Sequence, residues 1–207
     1  MSAVDLLLAD EAGRLPRADA RRNLERLVAA ARSAVAEVGV DATAHEIARR
    51  AGVGIGTFYR RVSSREALLE TVLEEVLGEA VATADRALDD PDPWMGFCGF
   101  AAAFVRLRAE SCGVGEALGG ACGPALDRSL ADVRERIRLL VERAQAAGSM
   151  RPDVAWQDVP FLLAAVATGP HTIGLQANDQ QWNRNLQIVL DGLSTTRPTV
   201  LSGTAPG

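Results

Sequence analysis

The amino-acid sequence predicts an all-α fold, with an N-terminal three-helix helix-turn-helix domain joined by a long helix to a C-terminal helical domain. Three observations carry this expectation. Apolar residues recur at helical spacing along most of the 207 residues. No stretch shows the two-residue alternation of a half-buried strand. Two Ser/Thr-x-x-Glu boxes, beginning at Thr43 and at Ser63, announce helix starts on either side of a Gly-containing break. The expected organisation is a leader over 1–17, a helix-turn-helix domain over 18–66, a helical domain over 67–196 and a tail over 197–207.

The elements follow in order. A first helix over about 18–38 places Leu24, Leu27, Val28, Ala31, Val35 and Val38 on one face, and Gly39 caps it. A short helix begins at Thr43, as N-cap, with Glu46 at the third position. Gly52 breaks it, at a turn that needs positive φ. A second short helix runs from Ile55 to Val62. The box Ser63-Ser64-Arg65-Glu66 then opens a long helix, to about Leu88, with Leu68, Leu69, Val72, Leu73, Val76, Leu77 and Ala80 as its apolar stripe. Asp92 and Pro93 read as N-cap and first helical position of a helix over about 93–110. A short helix between loops is expected within 111–124. A helix over about 126–147 carries Leu130, Val133, Ile137, Leu140, Val141 and Ala144 in phase and stops at Gly148. The helix expected over 155–177 is apolar from Val159 to Leu175, with a kink at Gly169-Pro170. The last helix, over about 180–195, has Trp182, Leu186, Val189, Leu190 and Leu193 in phase.

Charge is unevenly placed. The net charge is −5, and every basic side chain is arginine. Residues 14–65 nevertheless carry a net +6, and the remainder a net −11. A basic N-terminal module on an acidic body suits a polyanion bound by the former and repelled by the latter. No apolar run is long enough to span a bilayer, and Leu6–Ala9 lacks the flanks of a signal peptide, so a cytoplasmic location is expected. No cofactor is expected. Catalysis is not expected either: the two histidines, His45 and His171, lie in different domains with no nucleophile–base motif around them. Gly52-Val53-Gly54-Ile55-Gly56 lacks the lysine and preceding strand of a phosphate-cradling loop.

Two short helices about a Gly-containing turn form a helix-turn-helix, whose second helix can enter the DNA major groove. The residues expected at DNA are the polar or exposed ones. Thr43 and Ala44 stand at the positively polarised start of the first short helix. Thr57, Tyr59, Arg60 and Arg61 belong to the second. Tyr59 can donate to phosphate, and Thr57 can reach a base edge or a thymine methyl. Arg65, in the first turn of the long helix, can neutralise a phosphate. Gly54, Ile55 and Gly56 offer little direct readout, so much of the affinity is expected from phosphates and DNA shape.

Ile47-Ala48, Ala51-Gly52-Val53, Gly56-Thr57, Tyr59, Arg65-Glu66 and Leu68 match, in register, the DNA-binding segment of the TetR (tetracycline-repressor) family, and residues 22–75 resemble it. That resemblance implies phosphate contacts from Tyr59 and from Arg65. It assigns base reading to the start of the second short helix, here Gly54 and Ile55. It further implies a C-terminal domain that encloses a small-molecule effector and dimerises through its last two helices, here those over about 155–177 and 180–195. The expected function is therefore a homodimeric repressor released from a palindromic double-stranded DNA operator by a small molecule. The apolar 159–175 stretch suits a subunit interface. Phe97, Phe100 and Phe104 form a stripe that suits either core or effector wall, with Trp94, Arg106 and His171 as candidate polar contacts. The alternative is a thiol or metal sensor using Cys98, Cys112 and Cys122, whose spacings are not those of metal ligands.

Overall fold

The computed structural model of the chain describes residues 18–110, 124–166 and 171–195. The leader over 1–17, residues 111–123, the expected kink at Gly169-Pro170 and the tail over 197–207 lie outside the described residues. Eight α-helices are described: α1 (Ala18–Val38), α2 (Ala44–Arg50), α3 (Ile55–Arg61), α4 (Arg65–Leu88), α5 (Pro93–Glu110), α6 (Pro124–Ala146), α7 (Asp158–Val166) and α8 (Gln181–Leu193). A short antiparallel hairpin, β1 (His171–Thr172) and β2 (Leu175–Gln176), separates α7 from α8.

The helix boundaries follow from local chemistry. The Oγ of Thr43 accepts the amide of Glu46 at 3.2 Å, which caps α2. The second half of the expected box does not form, because the Glu46 carboxylate pairs with Arg50 instead, at 2.6 Å. The α4 cap is Ser64 rather than Ser63: its Oγ accepts the Ala67 amide at 3.0 Å, so Glu66 falls at the second helical position and pairs with Arg65. Asp92 caps α5 as its sequence predicts, accepting the amides of Trp94 and Met95 at 2.9 and 3.2 Å. Gly96, one turn on, is required by packing, since a Cβ there would lie 2.3 Å from the Ala87 carbonyl oxygen.

The expected helix over 155–177 is a correction. Helix α7 is described over Asp158–Val166, and His171–Gln176 forms the hairpin instead of helix. Ile173 and Gly174, its two central residues, both have positive φ, at 41° and 80°. This is the backbone of the primed turns that match strand twist. Helical periodicity over an apolar run cannot by itself exclude a hairpin this short.

The described residues divide into two compact units. The first comprises the chain through Gly78, with the start of α6 through Leu130; the second takes Glu79–Ala109 and the chain from Ala131 onward. In the first, Leu27, Ala31 and Val35 of α1 are buried together with Ile47 and Ala48 of α2, Phe58 of α3, and Leu68 and Val72 of α4. In the second, Phe97 and Phe100 of α5, Ile137 and Leu140 of α6, Val159 and Leu163 of α7, and Leu186 and Leu190 of α8 are buried. There Arg143 of α6 donates to the carbonyls of Leu88 and Asp90, satisfying acceptors at and just beyond the end of α4. Arg151, only 6% exposed, holds Asp153 through two 2.7 Å bonds and reaches the Gly192 carbonyl at the end of α8. No helix among the described residues is long and apolar enough to cross a membrane.

Candidate DNA-binding site

Helices α2 and α3 are joined by a turn closed in the Schellman pattern. The Val53 amide bonds the Ala48 carbonyl at 3.0 Å, and the Gly52 amide bonds Arg49 at 3.2 Å. Gly52 takes φ +67°, which any residue with a Cβ would resist. Ala48 and Ala51 are buried beside this turn, and Val62, just past α3, is buried as a plug. One further anchor lay outside the sequence reading. Phe58 is fully buried, and it is the residue by which α3 attaches to the rest of its unit. The signal for it was present: Phe58 and Val62 stand four apart, which puts them on one face of the helix expected over Ile55–Val62.

That anchoring decides what α3 presents outward. Tyr59 is 56% exposed, with its ring edge against Phe58 at 5.1 Å. Arg60 is exposed and donates to the Thr57 hydroxyl at 3.4 Å. Gly54 and Gly56 are exposed, and Ile55 and Thr57 are half-buried at the start of the helix. Arg61 is half-buried, and its Nε is buried without a hydrogen-bond partner among the described residues. At the start of α2, Thr43 is exposed, whereas the Ala44 side chain is buried, so only its backbone amide can serve a ligand.

Not every arginine of the basic module is equally available. Arg50 is committed to its own unit, with 2.7 Å to Glu37 and 2.6 Å to Glu46. These partners raise the guanidinium above its ordinary range, and Arg50 holds the Glu37 carboxyl below the usual carboxylate range. Arg65 donates its Nε to the carbonyl of Ala42 and pairs with Glu66 at 3.1 Å. It thereby ties the first turn of α4 to the segment that leads into α2. Arg49 and Arg60 are exposed on the two helices of the motif. Such an arrangement can place a hydroxyl and two guanidinium groups against a phosphate backbone.

In the second unit, the aromatic stripe of α5 is buried. Phe97 and Phe100 are enclosed, Phe104 nearly so, and Phe100 and Phe104 lie 5.6 Å apart. Trp94 is half-buried and stacks on Phe97 at 5.7 Å. The other two candidates lie elsewhere: Arg106 is exposed on α5, and His171 is exposed on the hairpin. The thiol and metal alternative gains no support. Cys98 is half-buried, and burial, with Asp92 and Asp191 adding to it, pushes its thiol up to about 11, away from reactivity. Cys112 and Cys122 lie outside the described residues. No cluster of potential metal ligands occurs among the described residues.

The chain resembles known proteins over both units. Residues 27–72 match the model of bacterial regulatory proteins of the tetR family, and residues 92–195 match that of the SbtR-like transcriptional regulator C-terminal domain. A TetR transcriptional regulator from Streptomyces coelicolor is 28% identical, over 84% of this chain and 99% of that one, with a TM-score of 0.60. A TetR transcription regulatory protein from Mycobacterium vanbaalenii is 30% identical, over 86% and 99%, with a TM-score of 0.58. The transcriptional regulator FadR from Bacillus subtilis, solved in complex with stearoyl-CoA, shares the fold at 16% identity, over 82% and 98%, with a TM-score of 0.61. No curated protein matches the chain.

Proposed function

Because the chain belongs to the TetR family of bacterial transcriptional regulators, we propose that it is a homodimeric repressor that binds a palindromic operator and leaves it when a small-molecule effector binds the C-terminal unit. The observation that carries this reading is α3 itself. Phe58 holds one side of it inside, which leaves Tyr59 and Arg60 facing solvent across a closed turn from α2. A short helix anchored in this way is suited to the major groove, with Tyr59, Arg60 and Arg49 at phosphates. Gly54, Ile55 and Thr57 stand at the end of α3 that would approach base edges. Thr43 and the Ala44 amide offer a further phosphate contact at the start of α2. Arg61 adds charge at the end of α3, and Arg65 acts both as a phosphate contact and as a strut to Ala42.

Dimerisation is assigned to α7 and α8. Phe161 is 66% exposed and Ile188 69% exposed, although each helix already buries another apolar face. Large apolar side chains left outside a filled core suit an isologous contact with a second copy. The effector is assigned to the aromatic face of α5, which belongs to the same unit as the C-terminal part of α4. Helix α4 continues without a break to Arg65. A ligand that displaces its C-terminal end by a small tilt can therefore alter the phosphate contacts at the other.

Footprinting on DNA upstream of the protein's own gene and neighbouring genes tests the proposal. The expected result is a protected site with two-fold symmetry, bound with a salt-dependent affinity. Protection without symmetry would remove the palindromic dimer, and uniform binding to all DNA would remove the operator.

A further inference from the structure

The buried face of α5 runs through Phe97, Phe100, Ala101, Phe104 and Val105. The next residue in that helical phase, one turn beyond Phe104, is Arg108. Arg106, two residues earlier and on the opposite face of the helix, is exposed. Arg108 is half-buried, and its Nε is buried with no hydrogen-bond partner among the described residues. Nor does the preceding turn of α5 supply a carboxylate: positions 104 and 105 are Phe and Val. Burial lowers the pKa of the guanidinium, and no charge among the described residues offsets it. Several other arginines of this unit do have partners: Arg86 with the Thr83 hydroxyl, Arg136 with Asp85, Arg138 with Glu135, Arg143 with Leu88, and Arg151 with Asp153.

A guanidinium N–H withdrawn from water without a partner costs free energy, and an anion supplied from outside recovers it. The charge ends an otherwise apolar, aromatic face. We infer that the effector is an amphipathic organic acid, whose anionic head group, a carboxylate or a phosphate monoester, pairs with Arg108 while its apolar body lies along the aromatic face of α5. This rests on the assignment of the effector to that face, and it specifies the chemistry the site selects.

Three probes of equal chain length separate the possibilities: decanoate, decyl phosphate and decanol. Binding to the full-length protein is read from tryptophan fluorescence, because Trp94 stacks on Phe97 at the start of the face. At least one of the anions should bind about tenfold or more tightly than decanol, the worth of a charged hydrogen bond. Whichever anion binds better identifies the head group. Arg108→Met should bring the anion and decanol to within about threefold of each other, and Arg108→Lys should restore most of the preference. Arg108→Met should also melt no lower than wild type, since it removes a partly buried charge whose Nε has no partner among the described residues. A marked loss of stability would instead give Arg108 a structural role and overturn the inference. Equal binding of decanol and both anions would overturn the head-group assignment alone and leave an apolar effector site standing. Failure of all three to bind below millimolar concentration would overturn both. An anion preference that persists in Arg108→Met would move the head group away from Arg108.

Discussion

The two units solve opposite surface problems. In the first, apolar side chains are spent inward: Phe58, Ile47 and Val62 are buried, and Tyr59, Arg60 and Arg49 remain outside. In the second, large apolar residues stay outside. Phe161 and Ile188 are exposed, and so are Ile173 and Leu175 of the hairpin, while Arg136, Arg138, Arg143 and Arg151 are occupied by partners within the unit. A surface of free cations suits a polyanion, whereas a surface of uncovered apolar groups suits another apolar surface. The difference shows that one chain can leave two kinds of surface exposed, provided each unit completes its own core first.

The largest effect is expected from breaking the apolar side of this contrast. The double substitution Phe161→Glu and Ile188→Glu should yield a monomer by light scattering at micromolar concentration, because each unpaired charge buried at an interface costs about 3–5 kcal/mol. Helical content should remain, since both positions are exposed in the single chain. A dimer that persists in the double variant would place the subunit contact elsewhere.

Next is Phe58→Ala, which removes the anchor of α3. Deleting a fully buried phenyl ring should destabilise the first unit by about 3–5 kcal/mol, and DNA binding should disappear with it. Denaturant unfolding checks this. Wild-type stability would mean that α3 is held by its termini alone.

Arg65→Ala joins the two themes in one residue. Ala42 is fully buried, and the variant leaves its carbonyl without this donor, at a cost of about 1.5–3 kcal/mol. If the guanidinium also meets a phosphate, the slope of log K against log salt should fall by about 1, for every DNA sequence alike. A loss of stability with an unchanged slope would leave Arg65 as a strut only.

The smallest effect is expected one residue from the anchor. Tyr59→Phe keeps the ring against Phe58 and deletes a hydroxyl, so DNA affinity should fall by about 0.5–1.5 kcal/mol with no change in melting temperature. The pair Phe58→Ala and Tyr59→Phe thus sharpens the comparison: adjacent residues on one helix, one buried in the unit and the other exposed to solvent.

The sequence by itself determined the all-α class, the caps at Thr43 and Asp92, the positive φ at Gly52 and the family to which the chain belongs. These rest on local rules: a hydroxyl or carboxylate within three residues of a free amide, a missing Cβ where φ is positive, and apolar residues one turn apart. Where such rules competed, the tertiary structure chose. The α4 cap fell on Ser64, leaving Glu66 free for Arg65. Glu46 abandoned its capping role for Arg50, which also reaches Glu37, thirteen residues away. A stretch that reads as helix turned through Ile173-Gly174. Only the folded structure separated the committed Arg50 from the exposed Arg49. Identical residue types at neighbouring positions differ in nothing but direction, and direction is fixed by what lies across the core, which is remote in sequence and close only once the chain has folded.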